Sequence, residues 1–291
     1  MNQADYKELK KGGMMRQPEA GLFSVRLHVI GGRLDTGQLK AIREAADRFG
    51  RGEIHLTSRQ GVEIPNVRRD SLASLKDFLA SSGITVGGAG PTVRTVTACP
   101  GCRVCLRGVI DSPSVAGAID RQLYGKPAPH KFKIGVSGCP NNCIKAEEND
   151  AGIKGWIEPR WDGTDCGLCG ICEAVCPTKA ISRAGEGPVV DRSLCIGCGD
   201  CIASCPSGSM KEGKRGYRLF AGGKFGRVPS LGKRILDVLG SEEEAVRAVA
   251  AVLEFFRENG KPKERFANTL ARTGFAALET YVLEGGKGGT A

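Results

Sequence analysis

The run SVRLHVI alternates, placing Val25, Leu27 and Val29 on one face, which is the period of a half-buried strand. TGQLKAIREAADRFG follows with Leu39, Ile42, Ala46 and Phe49 at helical spacing and stops at Gly50, predicting an amphipathic helix with a glycine cap. EIHLTS and GVEIPNV read as two strands around a turn. DSLASLKDFLASSG then reads as a second helix, opened by Asp70 and closed by Gly83. A β-α-β-β-α order of this kind predicts a small α+β sandwich, with helices covering one face of an antiparallel sheet. Residues 84–98 are rich in Gly and Thr, HKFKIGVSG is a short strand-like run, and YRLFAGGKFGRVPSLG has strand-and-loop character. SEEEAVRAVAAVLEFFRENG predicts a helix with a capping box from Ser241 to Glu244 and a stop at Gly260. A last helix is expected over Glu264 to Leu283, followed by the glycine-rich, disordered tail EGGKGGTA.

One segment has neither period. Between Trp161 and about Lys211 the chain is rich in Cys, Gly and Pro and poor in large apolar residues, so something other than a hydrophobic core must hold it. It contains CGLCGICEAVCP and then CIGCGDCIASCP, each a C-x2-C-x2-C-x3-C-P run. That is the bacterial ferredoxin pattern, in which the fourth cysteine of each run serves the other cluster. Cys166, Cys169, Cys172 and Cys205 are therefore expected to hold one 4Fe-4S cluster and Cys176, Cys195, Cys198 and Cys201 another, for one-electron relay. A pair of zinc knuckles is the bland alternative, disfavoured by the duplicated four-cysteine run.

Composition narrows the rest. With 291 residues the chain is long enough for two or three folded units, and thirteen cysteines in a chain this size argue for metal or redox work rather than a secreted disulfide scaffold. The opening MNQADYKELKKGG has no apolar run, and AVRAVAAVLEFF is short and broken by Arg247, so a cytoplasmic protein with no membrane insertion is expected. The formal charge of +10 with only 5% aromatics, and no basic-aromatic stretch, favours an acidic ligand over nucleic acid.

Five cysteines lie outside the duplicated runs, in CPGCRVC and CPNNC: Cys99, Cys102, Cys105, Cys139 and Cys143. The C-x5-C of Cys99 and Cys105, followed at a distance by the C-x3-C of Cys139 and Cys143, resembles the sirohaem-dependent sulfite and nitrite reductases. HLTSRQG, VRTVTAC and HKFK are similar to that family's arginine and lysine motifs, and the resemblance covers most of residues 20 to 275. It implies a third 4Fe-4S cluster on Cys99, Cys105, Cys139 and Cys143, with Cys143 bridging to the sirohaem iron and Cys102 left as a spare thiol. It implies Arg59, Arg94, Lys131 and Lys133 around the substrate anion, the lysine pair tilting the choice from nitrite to sulfite. Arg59, Arg94, Asn141, Asn142, Gly222 and Gly223 are implied as cofactor contacts. His55, Arg68, Arg107, Lys145, Arg227 and Lys233 lie near the motifs as candidate partners of the sirohaem carboxylates, and Gly226 belongs to the same glycine loop.

The fold implied is α+β: one sulfite-reductase repeat with an inserted bacterial-type two-cluster ferredoxin domain. The boundaries expected are 1–90 for the ferredoxin-like sandwich, 91–160 and 213–283 for the sirohaem and 4Fe-4S domain, 161–212 for the insertion and 284–291 for the tail. Because the best-known members fuse two repeats and this chain carries both residue sets on one, the resemblance implies a homodimer with sites shared between chains. It is most similar to the small anaerobic sulfite reductase subunits, which take electrons from a partner protein; no G-x-G-x-x-G opening a helix is apparent here. An iron-sulfur electron-transfer subunit without sirohaem is the rival from another class.

Overall fold

The computed structural model describes residues 3–285. The N-terminal unit begins with α1 (Gln3–Lys11) and β1 (Met14–Arg16). It continues through β2 (Leu22–Arg26), α2 (Thr36–Phe49), β3 (His55–Leu56), β4 (Val62–Arg68) and α3 (Leu72–Ser81). Its sheet is antiparallel in the order β1-β2-β4-β3. Val25, Leu27, Val29, Ile64 and Val67 are buried against Ile42, Ala45, Leu75 and Leu79 of the two helices, so the period-2 and period-3.6 patterns meet in one core.

Two expectations from the sequence are corrected here. Leu39 is 56% exposed, because the buried face of α2 runs instead through Ala41, Ile42, Ala45 and Ala46. Asp70 does not cap α3: its carboxylate pairs with Arg68 and takes the Ser71 hydroxyl, and Ser71 holds the cap position. The α2 start is built by Asp35, which accepts from Gln38 N while the Gln38 side chain accepts from Asp35 N.

The second unit is a five-stranded mixed sheet, crossed by the cysteine-rich module. In chain order it contains β5 (Thr97–Ala98), α4 (Ser112–Leu123), β6 (Ile134–Ser137) and β7 (Ala151–Trp161). The module then supplies α5 (Ile171–Ala174), β8 (Ile181–Ala184), β9 (Gly187–Val190) and α6 (Asp200–Ala203). The chain returns through β10 (Met210–Ala221), β11 (Lys233–Leu239), α7 (Glu242–Asn259), α8 (Phe266–Thr273) and α9 (Phe275–Leu283). Sheet order is β11-β10-β7-β6-β5, with β5, β6 and β7 parallel and β7, β10 and β11 antiparallel. Helix α4 is the crossover that lets β5 and β6 run parallel, and Asp111 caps it by accepting from Ser114 N.

Helix α7 buries nine apolar residues across this sheet, and its Phe256 ring packs against Phe132 and Phe266. The capping box expected at its start is half formed. Ser241 accepts from Glu244 N, but the Glu244 carboxylate reaches Gly240 N instead of Ser241 N. The single C-terminal helix expected over Glu264 to Leu283 is two helices, because Gly274 turns the chain at φ +88°. Of the tail read as disordered, residues 286–291 lie outside the described residues.

Module residues leave the sheet where Trp161 pairs with Met210 and carry their own two-stranded sheet, β8-β9. The buried apolar cluster there is Cys176, Ala180, Ile181, Cys201 and Met210. Two of these are cysteines, so cysteine chemistry rather than apolar burial has to supply most of its cohesion.

Candidate functional site

Parallel strands β5 and β6 organise both residue sets. Arg94 precedes β5, and Lys131 and Lys133 precede β6. Arg59 comes from the turn between β3 and β4, where Gln60 sits at φ +58°. All four basic side chains, with Arg26, line one cavity of about 250 Å³.

Arg59 donates through Nη1 to Asn149 Oδ1 at 2.7 Å and through Nη2 to Thr95 O at 3.2 Å. Arg94 donates to Gly88 O at 2.9 Å and to Gly90 O at 3.0 Å. These bonds aim neutral carbonyl or amide oxygens at the guanidinium groups and leave their charge uncompensated. Burial, and then the neighbouring cations, push Arg59 and Arg94 down to about 10 and Lys133 down to about 8 from its ordinary 10.5, and Lys131 is lowered for the same reasons. His130 is also lowered by burial, and its Nδ1 accepts from Lys131 N at 2.7 Å.

Of the lining cations, Arg26 is neutralised by Glu63 at 2.6 Å; near the other four lies Asp150, fully buried, whose carboxylate accepts from Lys133 N at 2.9 Å and from Arg265 Nη2 at 3.1 Å. Burial raises its pKa against the pull of Arg265. Buried polar atoms without a partner in this region are Arg94 Nε, Arg265 Nε and Thr92 Oγ1. A cavity ringed by desolvated cations with spare donors is built for a compact anion or for carboxylates.

The sequence reading missed Arg26, Asn149, Asp150 and Arg265 here. Asn149 and Asp150 lie on the return from CPNNC, where a polar pair leading into a strand was a signal open to reading. Arg265 arrives 115 residues after its partner Asp150 and carries no such signal. Conversely, His55, Arg68, Arg107, Lys145, Arg227 and Lys233 are absent from this cavity's lining. Arg68 pairs with Asp70, Arg107 with Asp200, Lys145 with Glu148, and Lys233 lies over the Phe275 ring.

Cys99 and Cys139 follow the C-terminal ends of β5 and β6, so the parallel pair delivers both to one edge. Arg94, Lys131 and Lys133 stand at the opposite ends of the same strands, Arg59 reaches in from the β3–β4 turn, and the cavity that gathers them is lined by no cysteine. Lys133 and Cys139 are separated by about 20 Å of chain, taken as extended strand at roughly 3.3 Å per residue. Cys99 Sγ accepts from Gly138 N at 2.9 Å. The Cys139 thiol is pushed up by burial, and the nearby Cys99, Cys105 and Cys143 add to the rise.

The CPNNC loop is held by its own residues. Asn142 Oδ1 accepts from Ala146 N at 2.7 Å and its amide donates to Glu147, while Asn141 is exposed and its backbone N–H serves Cys139. Gly222 and Gly223 have an internal reason to be glycine. A Cβ on Gly223 would overlap Glu147 O and Asn149 O, and Gly222, at φ +86°, faces Leu270 and Phe275. Gly226 has open space around it, and Cys102 is exposed.

In the module, Cys166, Cys169, Cys172 and Cys205 line a single cavity of about 280 Å³. Cys176, Cys195, Cys198 and Cys201 form the other group; burial and the three neighbouring sulfurs push Cys201 up to about 12. Cys176 Sγ accepts from Ala180 N at 3.2 Å and Cys205 Sγ from Met210 N at 3.4 Å, bonds that favour thiolates. Trp161 lines the first cavity and Trp156 packs on Gly197 in the second run; both indole N–H groups are buried without a partner. Soft sulfur donors in fours, each set with an orphaned donor beside it, fit iron-sulfur clusters. Among the described residues no three His, Cys, Asp or Glu side chains close on a single metal ion.

Residues 89–285 match the nitrite and sulphite reductase 4Fe-4S domain, and residues 15–82 match the nitrite/sulfite reductase ferredoxin-like half domain. The chain belongs to this reductase family. It is 32% identical over 284 residues to a coenzyme F420-dependent sulfite reductase of Methanocaldococcus jannaschii, covering 97% of this chain but 44% of that protein. It is 28% identical to one of the anaerobic sulfite reductase polypeptides of Salmonella typhimurium, covering 91% of this chain and 84% of that one. The fold matches a crystal structure of a dissimilatory sulfite reductase with TM-score 0.74 at 22% identity, over 92% of this chain and 70% of that chain. Among the described residues, no helix of this family member is long and apolar enough to cross a membrane.

Proposed function

We propose that the chain reduces sulfite to sulfide with six electrons, and that the cavity in which Arg59, Arg94, Lys131 and Lys133 converge binds the anion. That convergence carries the reading, because four desolvated cations around about 250 Å³ match a small, doubly charged oxyanion. Sirohaem and its coupled cluster, when bound, supply the electron chemistry. Cys99, Cys105, Cys139 and Cys143 would hold that cluster. Cys166, Cys169, Cys172 and Cys205, and Cys176, Cys195, Cys198 and Cys201, would hold two relay clusters.

The chain's own basic residues do the binding and the proton work. Arg59 and Arg94 are fixed by backbone and amide oxygens and orient the anion. Lys133, held near 8 by burial, gives up a proton far more readily than a surface lysine as the substrate oxygens leave as water. A nitrite monoanion needs less positive charge, so Lys133→Asn is expected to weaken sulfite turnover much more than nitrite turnover. Equal loss on both substrates would remove the preference for sulfite. Electrons come from a donor protein or partner subunit.

The opposite placement of the basic and cysteine sets supports a twofold pair of chains, each site taking cysteines from one protomer and cations from the other. Co-expression of Cys143→Ser with Arg94→Ala, each inactive alone, tests this reading. A mixed dimer should regain one intact site and sulfite reduction. Verified heterodimers that stay inactive, or an active wild-type monomer, would refute it.

A further inference from the structure

The two four-cysteine runs are near copies in sequence, yet the module is seated on the sheet asymmetrically. The second run is docked. Ile157 N donates to Gly197 O at 3.0 Å, and Arg218 Nη1 donates to Ile196 O at 3.1 Å while stacking on Trp156 at 5.0 Å. Gly197, at φ +72°, lies so close that a Cβ there would overlap the Trp156 indole, and a Cβ on Gly199 would press on Ile157. Ile202 packs against the main core. Arg107, two residues beyond Cys105, pairs with Asp200, which lies between Cys198 and Cys201, so a direct ion pair ties the Cys99–Cys105 loop to this run. The first run faces away. Among the described residues its side-chain bonds run within the module, from Arg183 to Leu168 O and to Glu173, and Leu168 and Ile171 are 45% and 37% exposed.

We infer that Cys176, Cys195, Cys198 and Cys201 form the inner relay set, next to the Cys99–Cys143 group, and that Cys166, Cys169, Cys172 and Cys205 form the outer set that first takes electrons from a one-electron carrier protein. This order rests on the proposed reductase reading. Electron tunnelling falls off exponentially with distance, so the docked run is the one through which transfer to the coupled site is fast. Each step moves one electron: the outer cluster is oxidised as the inner is reduced, and the inner is oxidised as the coupled cluster is reduced. Arg107 and Trp156 act as positioning residues that fix the inner set against the loop and β7.

Electron paramagnetic resonance of the anaerobically purified, dithionite-reduced full-length protein tests the order without turnover. Cys198→Ala and Cys169→Ala each remove about four irons, from the inner and outer sets respectively. In the wild type, the signal of the Cys99–Cys143 cluster should be broadened by its reduced neighbour. Cys198→Ala should abolish that broadening and Cys169→Ala should leave it. The reverse pattern, equal effects, or no broadening in the wild type overturns the order.

If either cysteine variant loses both sets, Trp156→Phe and Trp161→Phe keep every thiol and decide instead. Loss of a hydrogen bond to cluster sulfur lowers a midpoint potential, so Trp156→Phe should lower that of the signal coupled to the loop cluster and Trp161→Phe that of the uncoupled one. The opposite assignment overturns the order. A protein with this coupling pattern that fails to reduce sulfite would refute the proposed function and leave the order standing.

Discussion

Replacing Lys133 with Met should stabilise the substrate-free protein while impairing it. The ammonium is pushed from an ordinary 10.5 to about 8, first by burial and then by Arg59, Lys131 and Arg265, with Asp150 opposing. A depression of that size corresponds to roughly 3 kcal/mol against the charged form. Solvent still reaches part of the side chain, so the net cost is about 1 to 2 kcal/mol. The sign follows from proton counting. Between pH 8 and 10.5 the unfolded chain holds the proton and the folded chain does not, so the native state gains stability as pH rises through this window, and the cost is fully present below about 8.

Lys133→Met removes that cost with little change in volume, so at pH 7 Tm should rise by roughly 2 to 6 °C at a fixed scan rate. The gain should shrink steadily toward pH 10. Anaerobic calorimetry in a buffer free of small anions is the assay, since sulfite or phosphate in the cavity would offset the charge and mask the effect. A Tm that falls at pH 7, or a gain that is the same at pH 7 and pH 10, would refute a desolvated lysine. Sulfite turnover in the wild type should decline as pH rises through about 8, and Lys133→Met should lose that limb together with most of its activity.

Three other perturbations probe separate parts of the structure. Asp150→Asn leaves Arg265 buried without its carboxylate and should cost about 3 to 5 kcal/mol by denaturant titration; the alkaline limb of turnover should also move to lower pH, because the group that raises Lys133 is gone. Gly223→Ala drives a methyl into the carbonyls of Glu147 and Asn149, and should cost about 1 to 3 kcal/mol and raise KM for sulfite as Asn149 is pulled from Arg59; an unchanged KM would mean that the turn at 146–149 does not position Arg59. Gly197→Ala combines a positive φ with overlap on the Trp156 indole, so iron analysis should show a loss confined to the inner set.

What was legible in the chain was mostly what spacing alone determines. Val25, Leu27 and Val29 alternate into a core, and Cys166, Cys169, Cys172 and Cys205, taken from both runs, line one cavity. Arg59, Arg94, Lys131 and Lys133, chosen one motif at a time, line a common cavity. Contacts decided only by tertiary packing were not legible. Arg265 meets Asp150 because α8 folds back on the sheet, and nothing near either residue announces the other. Leu39 fits a helical period but falls outside the face that α2 presents. Helix α4 escaped notice because SPSVAGAIDRQL is built of small residues whose apolar period is faint, and its place is set by the need to join two parallel strands. The glycines at 222 and 223 were legible as unusual but not in purpose, since Gly223 admits backbone of Glu147 and Asn149 from much earlier in the chain and Gly222 faces Leu270 and Phe275 from much later.

The pairing of Trp161 with Met210 places both ends of the module on adjacent strands of one antiparallel ladder. Topologically the module is therefore the loop of a hairpin, and a hairpin loop is the part of a sheet most readily exchanged. Entropy grows only slowly with loop length, so a connection of a few residues and one of nearly fifty close the same β7–β10 ladder at similar cost. A chain cut at Asp162 and Ser209 and rejoined by an Asn-Gly turn should keep the five-stranded sheet and the basic cavity while losing the eight cysteines of the two runs. A different small domain grafted between the same two residues would be seated on the same sheet, which makes this hairpin a socket for interchangeable parts.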